Sequence, residues 1–201
     1  MFLANWNPTS TREAVHAAEE LDSDLLARCR VGDRMALEQF VRCYERRVFA
    51  FLSRSLGLGN QIDDLAQEVF LRAYRNIQKF DPDGPSRLST WLLSIAVNVA
   101  INVRRRSRTQ ASAQLANPEL KTNDNPEVQL WRQELNTAMA RAAAELPPEQ
   151  RDTFILAEYH QLSVSEIAQV MGTRAATVKT RLFRAKMHLR NTLATLWEAT
   201  R

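Results

Sequence analysis

SVSEIAQVMGTRAATVKTRLFRAKMHLR, residues 163–190, reads as a helix, a short turn and a second, densely basic helix. Val164, Ile167, Ala168 and Met171 follow the i, i+3, i+4, i+7 spacing of one buried face. Gly172 suits the left-handed position that ends a helix, and Thr173 suits the cap of the next. Val178, Leu182, Ala185 and Leu189 then form a second apolar stripe. The opposite face carries Thr177, Thr180, Phe183, Arg184 and Met187, flanked by Lys179 and Arg181, with Arg174 and Lys186 in the same basic block. No acidic residue falls between positions 167 and 196. A compact helix pair with a cationic outer helix can place side chains in the DNA major groove. Arg and Lys reach guanine O6 and N7 or phosphate there, and Thr bonds base edges or phosphates. The competing reading is a solvated basic face on an ordinary helical hairpin. Turn, caps and missing acids agree on DNA.

Outward from this segment, composition sets the class. The chain has 201 residues, 45% hydrophobic and 25% charged, with a formal charge of +4. That length fits one domain or two small ones. The modest net charge matters less than its distribution, in blocks over residues 104–108 and 174–190. Cys29 and Cys43 lie far apart with no CxxC and no nearby His, so two reduced thiols in a helical core are expected rather than a metal or redox site. No apolar run reaches membrane-spanning length, and residues 1–20 lack the order of a signal peptide, so an intracellular protein is expected.

With only 5 Gly and no sustained alternation, the expected fold class is all-α. Residues 22–30 form a first helix, capped within Asp22-Ser23-Asp24 and broken at Gly32-Asp33. Leu37, Phe40, Val41, Tyr44, Val48 and Phe51 mark a second, which ends near Gly57. Residues 62–80 form an amphipathic helix on Ile62, Leu65, Ala66, Val69, Ala73 and Ile77. Asp81-Pro82-Asp83-Gly84-Pro85 is a loop. Ser89 or Thr90 starts the next helix, which buries Leu92, Ile95, Ala96, Val99 and Val103. Residues 109–126, rich in Gln, Asn, Ala, Ser and Thr and bearing Pro118 and Pro126, read as a flexible linker. Helical patterning resumes near Val128 and runs to Leu146. Pro147-Pro148 opens a helix fixed by Phe154, Ile155, Leu156 and Tyr159. The expected organisation is an N-terminal extension (1–21), a helical domain (22–108), a linker (109–127) and a second helical domain (128–201).

Both N-terminal amphipathic helices carry a second face. Asp64, Gln67, Glu68, Leu71, Arg75 and Gln78 point away from the core stripe, and a leucine among carboxylates marks a protein contact or a plain solvated face. Trp91, Ser94, Asn98, Asn102 and Arg105 share one side of the following helix, next to Arg104-Arg105-Arg106-Ser107-Arg108. Stacking, base-edge bonding and phosphate pairing together suit single-stranded DNA. Core packing is the commoner fate of a tryptophan, and cations also suit a helix C-terminus.

Taken together, these segments resemble the extracytoplasmic-function (ECF) class of the sigma-70 family, compact bacterial transcription initiation factors, over about residues 22–195. Asp63-Asp64-Leu65-Ala66-Gln67-Glu68-Val69-Phe70 is similar to the region-two motif that grips the β′ clamp of RNA polymerase. The resemblance implies Asp63, Asp64, Gln67, Glu68, Leu71 and Arg75 as polymerase contacts. Ser89-Thr90-Trp91-Leu92-Leu93-Ser94-Ile95-Ala96-Val97-Asn98 is similar to the segment that melts the upstream-ten promoter element. It implies Ser89, Thr90, Trp91, Asn98, Asn102, Arg104, Arg105 and Arg106 as contacts to that strand. Leu146-Pro147-Pro148-Glu149-Gln150-Arg151, Leu162-Ser163-Val164-Ser165-Glu166-Ile167-Ala168 and Thr177-Val178-Lys179-Thr180-Arg181-Leu182-Phe183-Arg184-Ala185 are similar to region four. It implies Arg174, Thr177, Lys179, Thr180, Arg181, Phe183, Arg184 and Lys186 as readers of the upstream-thirty-five duplex, and a contact with the polymerase β flap. The implied partners are core RNA polymerase, promoter DNA and an anti-sigma factor. The factor is expected to act as a monomer on polymerase, without cofactor or metal, in the cytoplasm, where an anti-sigma factor can hold it at the inner membrane. Leu88 departs from the family, which often has Phe there.

A conventional helix-turn-helix regulator shares the C-terminal evidence but accounts for neither N-terminal face, and it usually needs a dimer. Catalysis is disfavoured: His16, His160 and His188 are scattered, and no phosphate-binding loop or nucleophile motif appears.

Overall fold

The computed structural model describes residues 20–57, 61–110 and 142–199, with the side chains of 108–110 and 195–199 left undescribed. Besides helical residues at 142–144, the described residues form seven α-helices and one 3-10 turn, without a strand. They are α1 (Ser23–Arg30), α2 (Arg34–Leu56), α3 (Ile62–Asn76), α4 (Leu88–Gln110), α5 (Pro148–Glu158), α6 (Val164–Val170) and α7 (Ala175–Ala199). The expected linker beyond residue 110, the start of the helix expected from Val128 and nearly all of the N-terminal extension lie outside the described residues.

The punctuation is local chemistry. Gly32 ends α1 at φ +82°, and Gly172 ends α6 at φ +57°, both in the left-handed region. Asp33 N–H donates to the Arg28 carbonyl and Gly32 N–H to Cys29. Thr173 N–H donates to Ala168 and Gly172 N–H to Gln169. Each pair satisfies carbonyls that the helix end leaves unbonded. Asp33 also caps α2, its carboxylate accepting from the amides of Met35 and Ala36. The Arg28 side chain and these amides hold the Asp33 carboxyl below its ordinary range. Ser163 and Glu166 form a reciprocal capping box at α6. Ser163→Ala should therefore lower stability by about 1 kcal/mol, read as a lower urea midpoint; an unchanged midpoint removes the cap's role.

Three boundaries differ from the sequence reading. The helix expected over 62–80 tightens into a 3-10 turn at Ile77–Lys79. The α4 helix starts at Leu88, so Ser89 and Thr90 lie inside its buried first turn instead of capping it. The Arg174 carbonyl accepts from Val178 N–H, which puts the cap of α7 one residue after Thr173. Cys43 also departs from expectation, being exposed, whereas Cys29 is buried and its thiol is pushed up by desolvation and then by Asp33.

Helix α2 is the spine, packing on α1, α3 and α4. Phe40, Tyr44, Phe51 and Leu52 are fully buried along it. Phe40 meets Tyr44 and Phe70 edge to face, at 5.3 and 5.8 Å between ring centroids. Burial, and then the carboxylate of Glu20, raise the Tyr44 phenol well above its ordinary value. Each such side chain contributes roughly 1.5–3 kcal/mol by leaving water.

The C-terminal helices pack α5 on α6 and α7, and α6 on α7. They also touch the N-terminal group, α5 against α2 and α6 against α4. One core runs through both groups: Phe51, Leu93 and Ala100 belong to the same buried cluster as Ile155, Leu156, Ile167 and Val178. This explains why α4 buries Leu93, Val97 and Ala100 in addition to Leu92, Ala96 and Val99 of the expected stripe. A satellite cluster of Ala142, Leu146, Phe154, Ala185 and Leu189 ties α7 to the turn before α5.

Candidate nucleic-acid and polymerase interfaces

The outward surface of α7 is built as the spacing predicts. Val178, Ala185 and Leu189 are buried with Leu182 half-buried, which leaves Arg174, Lys179, Thr180, Phe183, Arg184 and Lys186 exposed. Thr177 and Arg181 are half-buried at its margins. Phe183 is 67% exposed and is followed one turn later by exposed Met187. A solvent-facing phenylalanine in a field of cations costs apolar exposure unless a partner covers it. Thr180 donates its hydroxyl to the Ala176 carbonyl at 3.1 Å, so in this state that proton is used within the helix. Lys186 pairs with Glu158 of α5 at 2.8 Å, a half-exposed contact. Screening keeps such a pair weak, so phosphate can compete for the amine.

On α3, Asp63, Asp64, Gln67, Leu71 and Arg75 are exposed, while Glu68 is half-buried and bonded to Arg72. Leu71 is 55% exposed. Tyr74 (50%), Val31 (84%) and Met35 (68%) are also exposed, and sequence reasoning missed all three. The Tyr74 hydroxyl lies against the α1–α2 turn, 3.9 Å from where a Cβ on Gly32 would stand. The only signal in the sequence was Val31 just before Gly32-Asp33 and Met35 two residues after it.

On α4 the expected residues divide. Asn98, Arg105 and Arg106 are exposed and Asn102 is half-buried. Ile101, 46% exposed, lies with Asn98, Asn102 and Arg105 at helical spacing and was not foreseen. Trp91 is half-buried against Phe80, with ring centroids 5.4 Å apart, which is the core-packing reading. Ser89 and Thr90 are about 1% exposed. Ser89 donates its hydroxyl to the Glu20 carboxylate, which also receives the Tyr44 hydroxyl at 3.2 Å. In this state Ser89 is therefore tied to Glu20 at the helix start, and neither Ser89 nor Thr90 presents an open surface. Leu88, the departure from the family pattern, is buried.

Arg104 is also not free for a ligand. It crosses to the C-terminal helices and forms a two-pronged contact with the Asp152 carboxylate, one prong at 3.2 Å. It donates to the Ser55 hydroxyl at 2.9 Å, and that hydroxyl donates to Asp152 at 2.6 Å. Beside them, Arg151 donates to the carbonyls of Ser55, Ala143, Ala144 and Leu146. Burial lowers the Arg151 pKa, against an opposing pull from Asp152. Nothing in the pattern of residues 100–108 or 148–158 singled out this pairing.

The geometry thus gives a helical protein with a basic outward face on α7 and an exposed apolar-and-acidic face on α3, in another group of helices. Comparison with known families agrees. Residues 40–110 match Sigma-70 region 2, and residues 137–189 match Sigma-70 region 4. The ECF RNA polymerase sigma-E factor of Haemophilus influenzae is 33% identical over 190 residues, 89% of this chain and 99% of that protein. The solved structure of CnrH in complex with the cytosolic domain of CnrY is similar at a TM-score of 0.61 and 25% identity, over 85% of this chain and 96% of that one. The Bartonella quintana sigma factor RpoE, solved with the anti-sigma factor NepR, shares the fold at a TM-score of 0.63 and 21% identity, over 78% and 96% of the two chains. The chain belongs to the sigma-70 family of transcription initiation factors, in its extracytoplasmic-function class. As such it binds core RNA polymerase, directs it to promoters and promotes the DNA melting that starts transcription. Among the described residues no helix is long and apolar enough to cross a membrane.

Proposed function

We propose the following division of labour among its surfaces. The exposed face of α7, led by Arg174, Lys179, Arg184 and Phe183, reads the upstream-thirty-five element as duplex. Asn98, Asn102, Arg105 and Arg106 on α4, with Trp91 at their edge, hold the separated upstream-ten strand. Asp63, Asp64, Gln67, Leu71 and Arg75, extended by Tyr74, dock on the polymerase β′ clamp. The units are residues 22–108 and 128–201, joined by a linker over 109–127. The protein acts by binding and has no catalysis of its own. It works in the cytoplasm under an anti-sigma factor, in line with the similar solved chain that is bound to NepR.

The observation that supports this reading best is Leu71 standing 55% exposed between exposed Asp64 and Arg75 on α3, on a different helical group from the basic face of α7. An operator-binding regulator has no use for that second face. The test is titration of the protein against bacterial core RNA polymerase with the housekeeping sigma factor as competitor. Saturable one-to-one binding that the competitor displaces is expected. Absence of binding, with tight duplex binding by the free protein, overturns the assignment.

For the duplex surface, Arg184→Ala should cost about 1–3 kcal/mol of promoter discrimination, the worth of a bidentate base contact. Competition between cognate and scrambled upstream-thirty-five duplexes measures it. Equal loss on both duplexes reduces Arg184 to a phosphate contact.

A further inference from the structure

We infer that residues 20–30, α1 and its lead-in, form a strap that fixes both ends of the 81–87 loop, and that Arg30 and Glu20 are positioning residues for capture of the upstream-ten strand. The proposal rests on the sigma reading above and adds to it the residues that hold the capturing helix in place.

The loop joins the 3-10 turn to α4, whose Asn98, Asn102, Arg105 and Arg106 are assigned above to that strand. Asp81, Pro82, Asp83, Pro85 and Arg87 are exposed within it. Gly84 N–H donates to the Asp81 carbonyl at 3.2 Å, and Asp83 N–H to the Asp81 carboxylate at 3.1 Å. These bonds shape one turn around Asp81 and do not reach the far end of the loop.

Both ends are held by the strap. Before the loop, the Arg30 guanidinium donates to the Phe80 carbonyl, and the Gln78 side-chain amide donates to the Arg30 carbonyl at 3.3 Å. Phe80 is buried, and its ring packs on Trp91 in the first turn of α4. After the loop, the Glu20 carboxylate accepts the Ser89 hydroxyl and, at 3.4 Å, the Ser89 amide. That amide is one of the donors a helix leaves unpaired in its first turn. A carboxylate there also meets the positive end of the helix dipole. Tyr44, fully buried on α2, donates its hydroxyl to the same carboxylate and accepts Leu21 N–H at 3.1 Å. The strap is therefore pinned to the spine at one end and to the 3-10 turn at the other, where α1 packs on it.

Strand capture is weakened by every degree of freedom that binding must freeze. A strap that fixes the loop ends and the helix start beforehand removes that cost. Phosphate contacts carry no sequence information and position the strand, whereas base contacts specify it. Loss of the strap should therefore lower discrimination between strands more than binding as a whole.

The test uses holoenzyme, formed from the full-length chain and bacterial core RNA polymerase, on forked DNA. The single-stranded upstream-ten segment is one that wild-type holoenzyme selects from a randomised pool, and its scrambled counterpart competes. Arg30→Met and Glu20→Ala should each lower preference for the selected strand about tenfold, the scale of one lost hydrogen bond to a charged group. Affinity for core polymerase and for upstream-thirty-five duplex should stay unchanged. Arg30→Lys and Glu20→Gln, which keep a donor for Phe80 and an acceptor for Ser89, should recover most of the preference. Gln78→Ala, at an exposed position, should lower it about threefold, the scale of a neutral hydrogen bond. Circular dichroism checks folding. If both truncations lose helix, Gln78→Ala decides alone, and an unchanged preference there overturns the strap. Unchanged preference in folded Arg30→Met or Glu20→Ala, or equal loss on selected and scrambled strands, overturns it as well. Wild-type holoenzyme that selects no strand removes the sigma reading instead.

Discussion

Asp64→Ala combined with Leu71→Ala should weaken binding to core RNA polymerase by roughly 100-fold, about 2.7 kcal/mol, the scale of an interface anchor and its flanking charge. Both residues are exposed on α3, outside the apolar stripe of Ile62, Ala66, Val69 and Ala73 that α2 and α4 cover. Loss of surface groups away from packing changes stability by at most about 0.5 kcal/mol. The melting curve should therefore stay in place while the polymerase titration moves, and promoter binding by α7 should be untouched. A helix face that served only solvation would give unchanged polymerase affinity, and the docking assignment would then move to the neighbouring Val31, Met35 and Tyr74.

Phe51→Ala should have the largest effect on the fold, about 3–5 kcal/mol. Phe51 is fully buried near the end of α2, and its ring centroid lies 6.0 Å from that of His160, beyond α5. Truncation opens a cavity between α2 and the C-terminal helices that rigid helices cannot close. For a chain of this size the melting temperature should fall by on the order of 10 °C. Urea unfolding should show a lower midpoint. Because both helical groups share the cluster that contains Phe51, their transitions, followed by probes in each group, should move together. A loss below about 1 kcal/mol, or a shift confined to one group, shows that the shared core contributes little to cohesion.

Much of the architecture was legible in residue order because its causes are local. Gly32 and Gly172 stop helices through left-handed backbone that side-chain-bearing residues resist. The caps were less legible: Asp33 and Ser163 take orphan amides though neither was expected to, and Thr173 was expected to cap and does not. The exposure of Phe183 and Arg184 follows from the 3.6-residue period once Val178, Ala185 and Leu189 are assigned inward. The same arithmetic placed Leu71, Asn98 and Arg105 on open faces.

The failures are equally physical. Periodicity assigns a helix one buried face, and α4 has more, because α6 packs on it as well as α2 and α3. That is why Leu93, Val97 and Ala100 were not foreseen as core. Ser89 and Thr90 carry hydroxyls suited to DNA, yet Glu20, 69 residues earlier in the chain, claims the Ser89 hydroxyl. Tyr159 was expected inward and is 48% exposed, turned toward Arg54.

Helix placement, the basic face of α7 and the exposed face of α3 were therefore set by residue order, since capping, glycine conformation and the helical period act within about four residues. The pairing of Arg104 with Asp152 spans 48 positions. No short-range rule couples a guanidinium to a carboxylate at that separation; the packing of α5 and α6 against α2 and α4 brings them together and removes the water that would otherwise keep them apart.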